Sequence, residues 1–106
     1  MSGRRSDIVG ILDATGSGFA HGVITVTDVA TLLPTANMAN RKAITLFNMS
    51  TLDIVYLGGS GVTTANGYPL TQNQGLPFDL SSGAQIYGIC ETGKTANVRY
   101  LEIDNG

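Results

Sequence analysis

Gly88-Ile89-Cys90-Glu91-Thr92-Gly93-Lys94-Thr95, running into Ala96-Asn97-Val98-Arg99-Tyr100-Leu101-Glu102-Ile103, is the stretch on which the reading of this chain turns. Its first eight residues match G-x-x-x-x-G-K-T, the pattern of a phosphate-binding loop. Such a loop works because a strand delivers a glycine-rich turn to a helix N-terminus. There, backbone N–H groups and the helix dipole hold phosphate, and the lysine reaches the terminal group. Here the residues after Thr95 have the period of a strand, with Val98, Tyr100 and Glu102 alternating with Arg99, Leu101 and Ile103. No helical pattern follows, and no second Asp-bearing strand is expected in the eleven residues after Thr95. The octapeptide therefore reads as a strand end and a turn. The predicted unit is a hairpin, with strands over 84–91 and 96–103 joined by a turn at 92–95. In that reading Gly93 supplies a positive φ and Lys94 keeps an exposed tip soluble.

Upstream the same period recurs. Val23-Ile24-Thr25-Val26-Thr27 and Val29-Ala30-Thr31-Leu32-Leu33 are β-branched runs that suit a pleated surface. After a polar bend at 35–40, residues 42–49 put Ile44 and Leu46 on one face and Thr45, Phe47 and Met49 on the other. Ser50-Thr51-Leu52-Asp53 reads as a turn, and Ile54-Val55-Tyr56-Leu57 as the returning strand of a second hairpin. Residues 58–77 are irregular and glycine-rich, with a short edge strand expected at Tyr68-Pro69-Leu70-Thr71, where proline is tolerated. Phe78-Asp79-Leu80 is a further short strand before the turn Ser81-Ser82-Gly83. Seven or eight short strands with frequent turns and no helical period predict an all-β fold, a small antiparallel, jelly-roll-like β-sandwich. Residues 1–21 read differently: glycines cluster at Gly16, Gly18 and Gly22, and only Ile8 to Leu12 could pack. The expected organisation is an extended N-terminal arm, 1–21, and a sandwich domain, 22–106.

The chain has 106 residues, enough for one domain that buries roughly two thirds of its unfolded surface. Apolar residues are 42% and charged residues only 13%, so its surface must be built from Ser, Thr, Asn, Gln and Gly. Such a neutral surface suits packing into assemblies. Net charge is −2 and the basic runs are Arg4-Arg5 and Arg41-Lys42, which argues against nucleic acid as a partner. One cysteine, Cys90, excludes an internal disulfide and reads as a small buried side chain. One histidine, His21, does not make a metal site alone. No stretch has the length of a membrane-spanning helix. Arg4-Arg5 with Ile8-Val9-Gly10-Ile11-Leu12 echoes an export signal, but Asp7 and Asp13 cut the apolar run to five residues. Synthesis in a cytoplasm, without the general secretory route, is therefore expected.

No catalytic set emerges. The eight acids are scattered one per loop or strand end, and there is no Gly-x-Ser-x-Gly elbow. No enzyme activity, cofactor or metal is expected. Asn48-Met49-Ser50 matches a glycosylation sequon and reads as silent. Most aromatic residues read as packing, while Tyr68, beside Asn66-Gly67, could stack on a sugar or dock on a partner. Arg4 and Arg5 either pair with acidic groups on a supporting surface or form a solvated terminus.

A resemblance adds to this. Arg41-Lys42-Ala43-Ile44-Thr45-Leu46-Phe47-Asn48, Ile54-Val55-Tyr56-Leu57-Gly58-Gly59 and Val62-Thr63-Thr64-Ala65-Asn66-Gly67-Tyr68-Pro69-Leu70 carry its first part. Phe78-Asp79-Leu80, Ile86-Tyr87-Gly88-Ile89 and Val98-Arg99-Tyr100-Leu101-Glu102 carry the rest. In their order these segments resemble a small β-sandwich module of tailed-bacteriophage virion proteins, among them capsid decoration (cement) proteins, head fibres and tail-associated fibres. The resemblance implies a virion structural role and brings no catalytic residues.

The expectation is a decoration protein on the capsid surface, bound to the major capsid protein. It would be a closed homo-oligomer with a trimer favoured, free of nucleic acid and membrane. The arm would be the clamp, and the expected partner-binding residues are Arg4, Arg5, Ile8, Ile11, Leu12, Phe19, His21 and Tyr68. The alternative is a fibre, spike or neck/tail component whose 58–77 loop binds host-surface carbohydrate.

Overall fold

Among the described residues, period-two alternation becomes eight strands. A computed structural model describes residues 18–35, 38–81 and 83–104. The strands are β1 (Phe19–Val26), β2 (Thr31–Leu33), β3 (Arg41–Asn48), β4 (Val55–Gly58), β5 (Tyr68–Leu70), β6 (Gly75–Phe78), β7 (Ile86–Ile89) and β8 (Ala96–Asp104). They form two four-stranded antiparallel sheets, ordered β1-β8-β3-β6 and β2-β7-β4-β5. This is the two-Greek-key order of a jelly roll. Val26, Ile44, Leu46 and Val98 from the first sheet meet Leu33, Val55, Leu57, Leu70 and Ile86 from the second. Each large aliphatic side chain buried there contributes about 1.5–3 kcal/mol.

The order corrects both expected hairpins. β7 lies between β2 and β4, whereas β8 lies between β1 and β3, so the 90–95 link crosses from one sheet to the other. The 49–54 link does the same between β3 and β4. Among the described strands, only β4 and β5 are sequence neighbours that pair. Hairpin-length links turn sandwich corners here because side chains and amides sew them to other corners. Cys90 N–H donates to the Thr27 carbonyl at 2.8 Å, and Gly93 N–H to the Asp28 carboxylate at 3.0 Å. Asn48 is fully buried, and its Nδ2 donates to the carbonyls of Asp53 and Leu70, both at 2.9 Å. Its Oδ1 accepts from Ser50 N–H.

The boundary of the arm also moves. Phe19, Ala20 and His21, read as arm, are the first residues of β1 and pair with Ile103, Glu102 and Leu101. Gly22 faces Tyr100 in that ladder, and a Cβ there would stand 2.9 Å from the Tyr100 hydroxyl, so the ring occupies the space glycine leaves.

At the other end a charge is buried. The β3–β8 register shifts between Arg41 and Ala43, and this bulge turns Arg41 inward while Lys42 is exposed. Arg41 Nη1 meets Glu102 Oε2 at 2.9 Å with both side chains essentially inaccessible. Arg41 Nε donates to the Leu80 carbonyl, and Nη2 to those of Ser81 and Ala84. Glu102 Oε2 also accepts from Met38 N–H at 3.2 Å. One ion pair thus fastens the loops before β3 and before β7 to the sheet.

Candidate interaction face

Alternation along β1 sends Ile24 and Val26 toward the core and Phe19, His21, Val23 and Thr25 to the outer face of the first sheet. The ladders carry this across four strands. His21, Leu101, Thr45 and Pro77 form one row; Val23, Arg99, Phe47 and Gly75 form the next. Phe19 and Val23 are 67% and 53% exposed, with Phe47 and Leu101 partly so. Gly75 leaves room for the neighbouring ring, since a Cβ there would lie 3.2 Å from Phe47 Cδ1. A shallow depression of about 340 Å³ lies among His21, Val23, Phe47, Arg99 and Leu101. The face becomes polar toward the corners, where Thr25 Oγ1 donates to Asn97 Oδ1 at 2.8 Å. An apolar surface interrupted by one guanidinium and one imidazole is suited to docking on protein.

Two of the expected partner-binding residues, Phe19 and His21, come together on this face, two positions apart on one strand. Tyr68 does not join them. It stands on β5 opposite Leu57, at a mouth between the sheets lined by Leu57, Phe78, Leu80 and Ile86, with Gln85 as the polar side chain. Arg4, Arg5, Ile8, Ile11 and Leu12 lie outside the described residues. Val23, Phe47 and Leu101 were missed by the sequence reading. For Val23 and Leu101 a signal was present: β1 and β8 carry apolar residues at both parities, the mark of a strand covered on both faces.

The octapeptide has no phosphate cradle. Gly88 is buried in β7, and a Cβ there would come within 2.8 Å of Leu33 Cδ1 and 2.9 Å of Val55 Cγ1. Gly93 has φ 78°, and its N–H is taken by the Asp28 carboxylate, an anion where phosphate would need to sit. Lys94 is exposed and Thr95 leads into β8. Cys90 is 1% exposed, and burial, then Asp53, Asp28 and Glu91, push its thiol up to about 11. It is a packed side chain, protonated at neutral pH. The sequon asparagine is Asn48, whose amide nitrogen is buried and already donates twice.

No family model, curated protein or solved structure matches this chain. The functional reading therefore rests on the face itself and on the sequence resemblance.

Proposed function

We propose that this protein is a virion structural component of a tailed bacteriophage, a decoration protein that binds the outside of the assembled head and bridges major capsid proteins. The observation that carries the reading is the outer face of the β1-β8-β3-β6 sheet, with Phe19, Val23, Phe47 and Leu101 exposed around Arg99. The low charge of the chain and the jelly-roll order support it. Binding only the assembled lattice would stabilise that lattice by mass action. In this reading the face seats on the shell and Arg4 and Arg5 reach acidic groups beside it.

The carbohydrate-binding alternative would use the Tyr68 mouth. Its apolar lining offers a sugar's hydroxyls few partners, and burying them unpaired is costly. The decoration reading is preferred for that reason. Its test is the double variant Phe47→Ser/Leu101→Ser, both positions being partly exposed on the outer face. Folding should be retained and occupancy on purified heads should fall about tenfold or more, the loss of about 1.4 kcal/mol. Full occupancy by the variant would overturn the reading.

A further inference from the structure

The structure holds two arginines in opposite states. Arg41 is buried, and its guanidinium meets Glu102 and the carbonyls of Leu80, Ser81 and Ala84. Arg99 is exposed on the outer face of the first sheet, and no described residue gives its guanidinium a hydrogen bond or an ion pair. It stands directly opposite Val23 on β1 and Phe47 on β3. Directly opposed side chains of an antiparallel sheet have Cβ atoms about 4.5–5.5 Å apart. With Leu101 and His21 these residues line the depression of about 340 Å³. One guanidinium is thus framed by apolar side chains.

The charges of the chain are distributed around this frame. Net charge is −2, so the protein as a whole is acidic. The outward strand positions of the sheet are every second residue of Phe19 to Thr25, Asn97 to Ile103 and Ala43 to Phe47, with Gly75 and Pro77. Among these described positions there is no Asp or Glu, and Arg99 is the one Lys or Arg. The described acids lie elsewhere. Asp28, Asp53 and Glu91 belong to the corner links, Glu102 is buried, Asp79 follows β6 and Asp104 ends β8. An acidic protein therefore presents a positive seat on this sheet.

We infer that Arg99 selects the partner of this face, and that its counterpart is a carboxylate, an Asp or Glu side chain set in an apolar patch of the capsid protein. The inference rests on the decoration reading and names the chemistry that its face would recognise. An exposed guanidinium in water contributes little to any ion pair. Docking changes its surroundings, because the apolar side chains on both sides exclude water once a partner covers them. A partner apolar throughout would then bury the charge unpaired, which is costly. A carboxylate instead matches the guanidinium with two parallel N–H···O bonds. Nucleic acid is not the match, since a phosphate backbone calls for clustered cations and the outward strand positions offer one fixed charge.

The test measures binding of the full chain to purified, undecorated heads, for wild type, Arg99→Met and Arg99→Gln. Met keeps the apolar stem, Gln keeps a polar tip, and neither keeps the charge. Arg99 is exposed, so both variants should melt as wild type does; if one does not, the other decides. Each should bind untreated heads about tenfold or more weakly than wild type. The same titrations are repeated on intact heads whose surface carboxylates have been amidated with carbodiimide and ethanolamine. There wild type should lose affinity, and its lead over the variants should close to within about twofold. That closure places the anion on the head and not on the chain's own residues. Wild-type affinity in either folded variant overturns the inference, and so does a difference that amidation leaves unchanged. If either happens while Phe47→Ser/Leu101→Ser still loses occupancy, the decoration reading stands without it. A wild-type chain that does not occupy untreated heads overturns both.

Discussion

The two ends of the sandwich are held by different chemistry. At the corner end, where β1–β2, β3–β4, β5–β6 and β7–β8 are linked, the fasteners are largely neutral. Asn48 joins the 49–54 link to Leu70, and Cys90 N–H joins the 90–95 link to Thr27. At the opposite end a buried ion pair, Arg41–Glu102, gathers the loops before β3 and β7 through carbonyls of Leu80, Ser81 and Ala84 and the amide of Met38. A neutral amide is cheap to bury once its hydrogen bonds are made, whereas a buried charge depends on every partner. The corner end should therefore fail one link at a time, and the charged end as a unit.

The largest effect is expected at the charged end. Arg41→Ala leaves Glu102 buried without its counter-ion and should cost about 3–5 kcal/mol in chemical denaturation. The double variant Arg41→Met/Glu102→Leu sharpens the comparison. Where an ion pair is only a pair, apolar replacement is often neutral. Here the carbonyls of Leu80, Ser81 and Ala84 also lose donors, so the double variant should recover only part of the loss. Full recovery would reduce this end to a simple ion pair and remove the distinction.

Asn48→Ala is the matching break at the corner end. It withdraws a donor from the carbonyls of Asp53 and Leu70 and an acceptor from Ser50 N–H, and should cost about 2–3 kcal/mol. Because the fasteners there are separate, hydrogen exchange should rise around 48–54 and 70–74 while the 90–95 link stays protected. A uniform rise across both links would mean that the corners act together.

These features differ in how readily the sequence discloses them. Strands around Val23, Ile44, Val55, Ile86 and Val98 are legible because one face of each is buried and the period is two. Pairing is not legible, because a four- to six-residue link serves a hairpin and a sandwich corner equally. What decides between them is a hydrogen bond to a residue far along the chain, such as Gly93 to Asp28. Arg41 was missed for a related reason. Strict alternation from Ile44 puts Lys42 inward and Arg41 outward, and only the bulge reverses them. Of the candidate face, the sequence singles out Phe19 and His21, but as part of the arm and not of a sheet. Which residues of other strands stand beside them is set by ladders with distant strands, which no local pattern records.

The smallest expected effect bears on the corner that carries the octapeptide. In a phosphate-binding loop Lys94 would be the functional centre and Gly88 a replaceable part of the entry. The packing of this corner inverts that ranking. Gly88→Ala drives a Cβ against Leu33 and Val55 from the two flanking strands, and should cost about 1–2 kcal/mol, as overpacking does. Lys94 is an exposed side chain at the tip, so Lys94→Ala should move stability by no more than about 0.5 kcal/mol. Neither variant should alter binding of a fluorescent ATP analogue, because the Gly93 amide already serves the Asp28 carboxylate. Saturable nucleotide binding lost with Lys94→Ala would mean that Asp28 gives way to phosphate, and this corner would then exchange one anion for another.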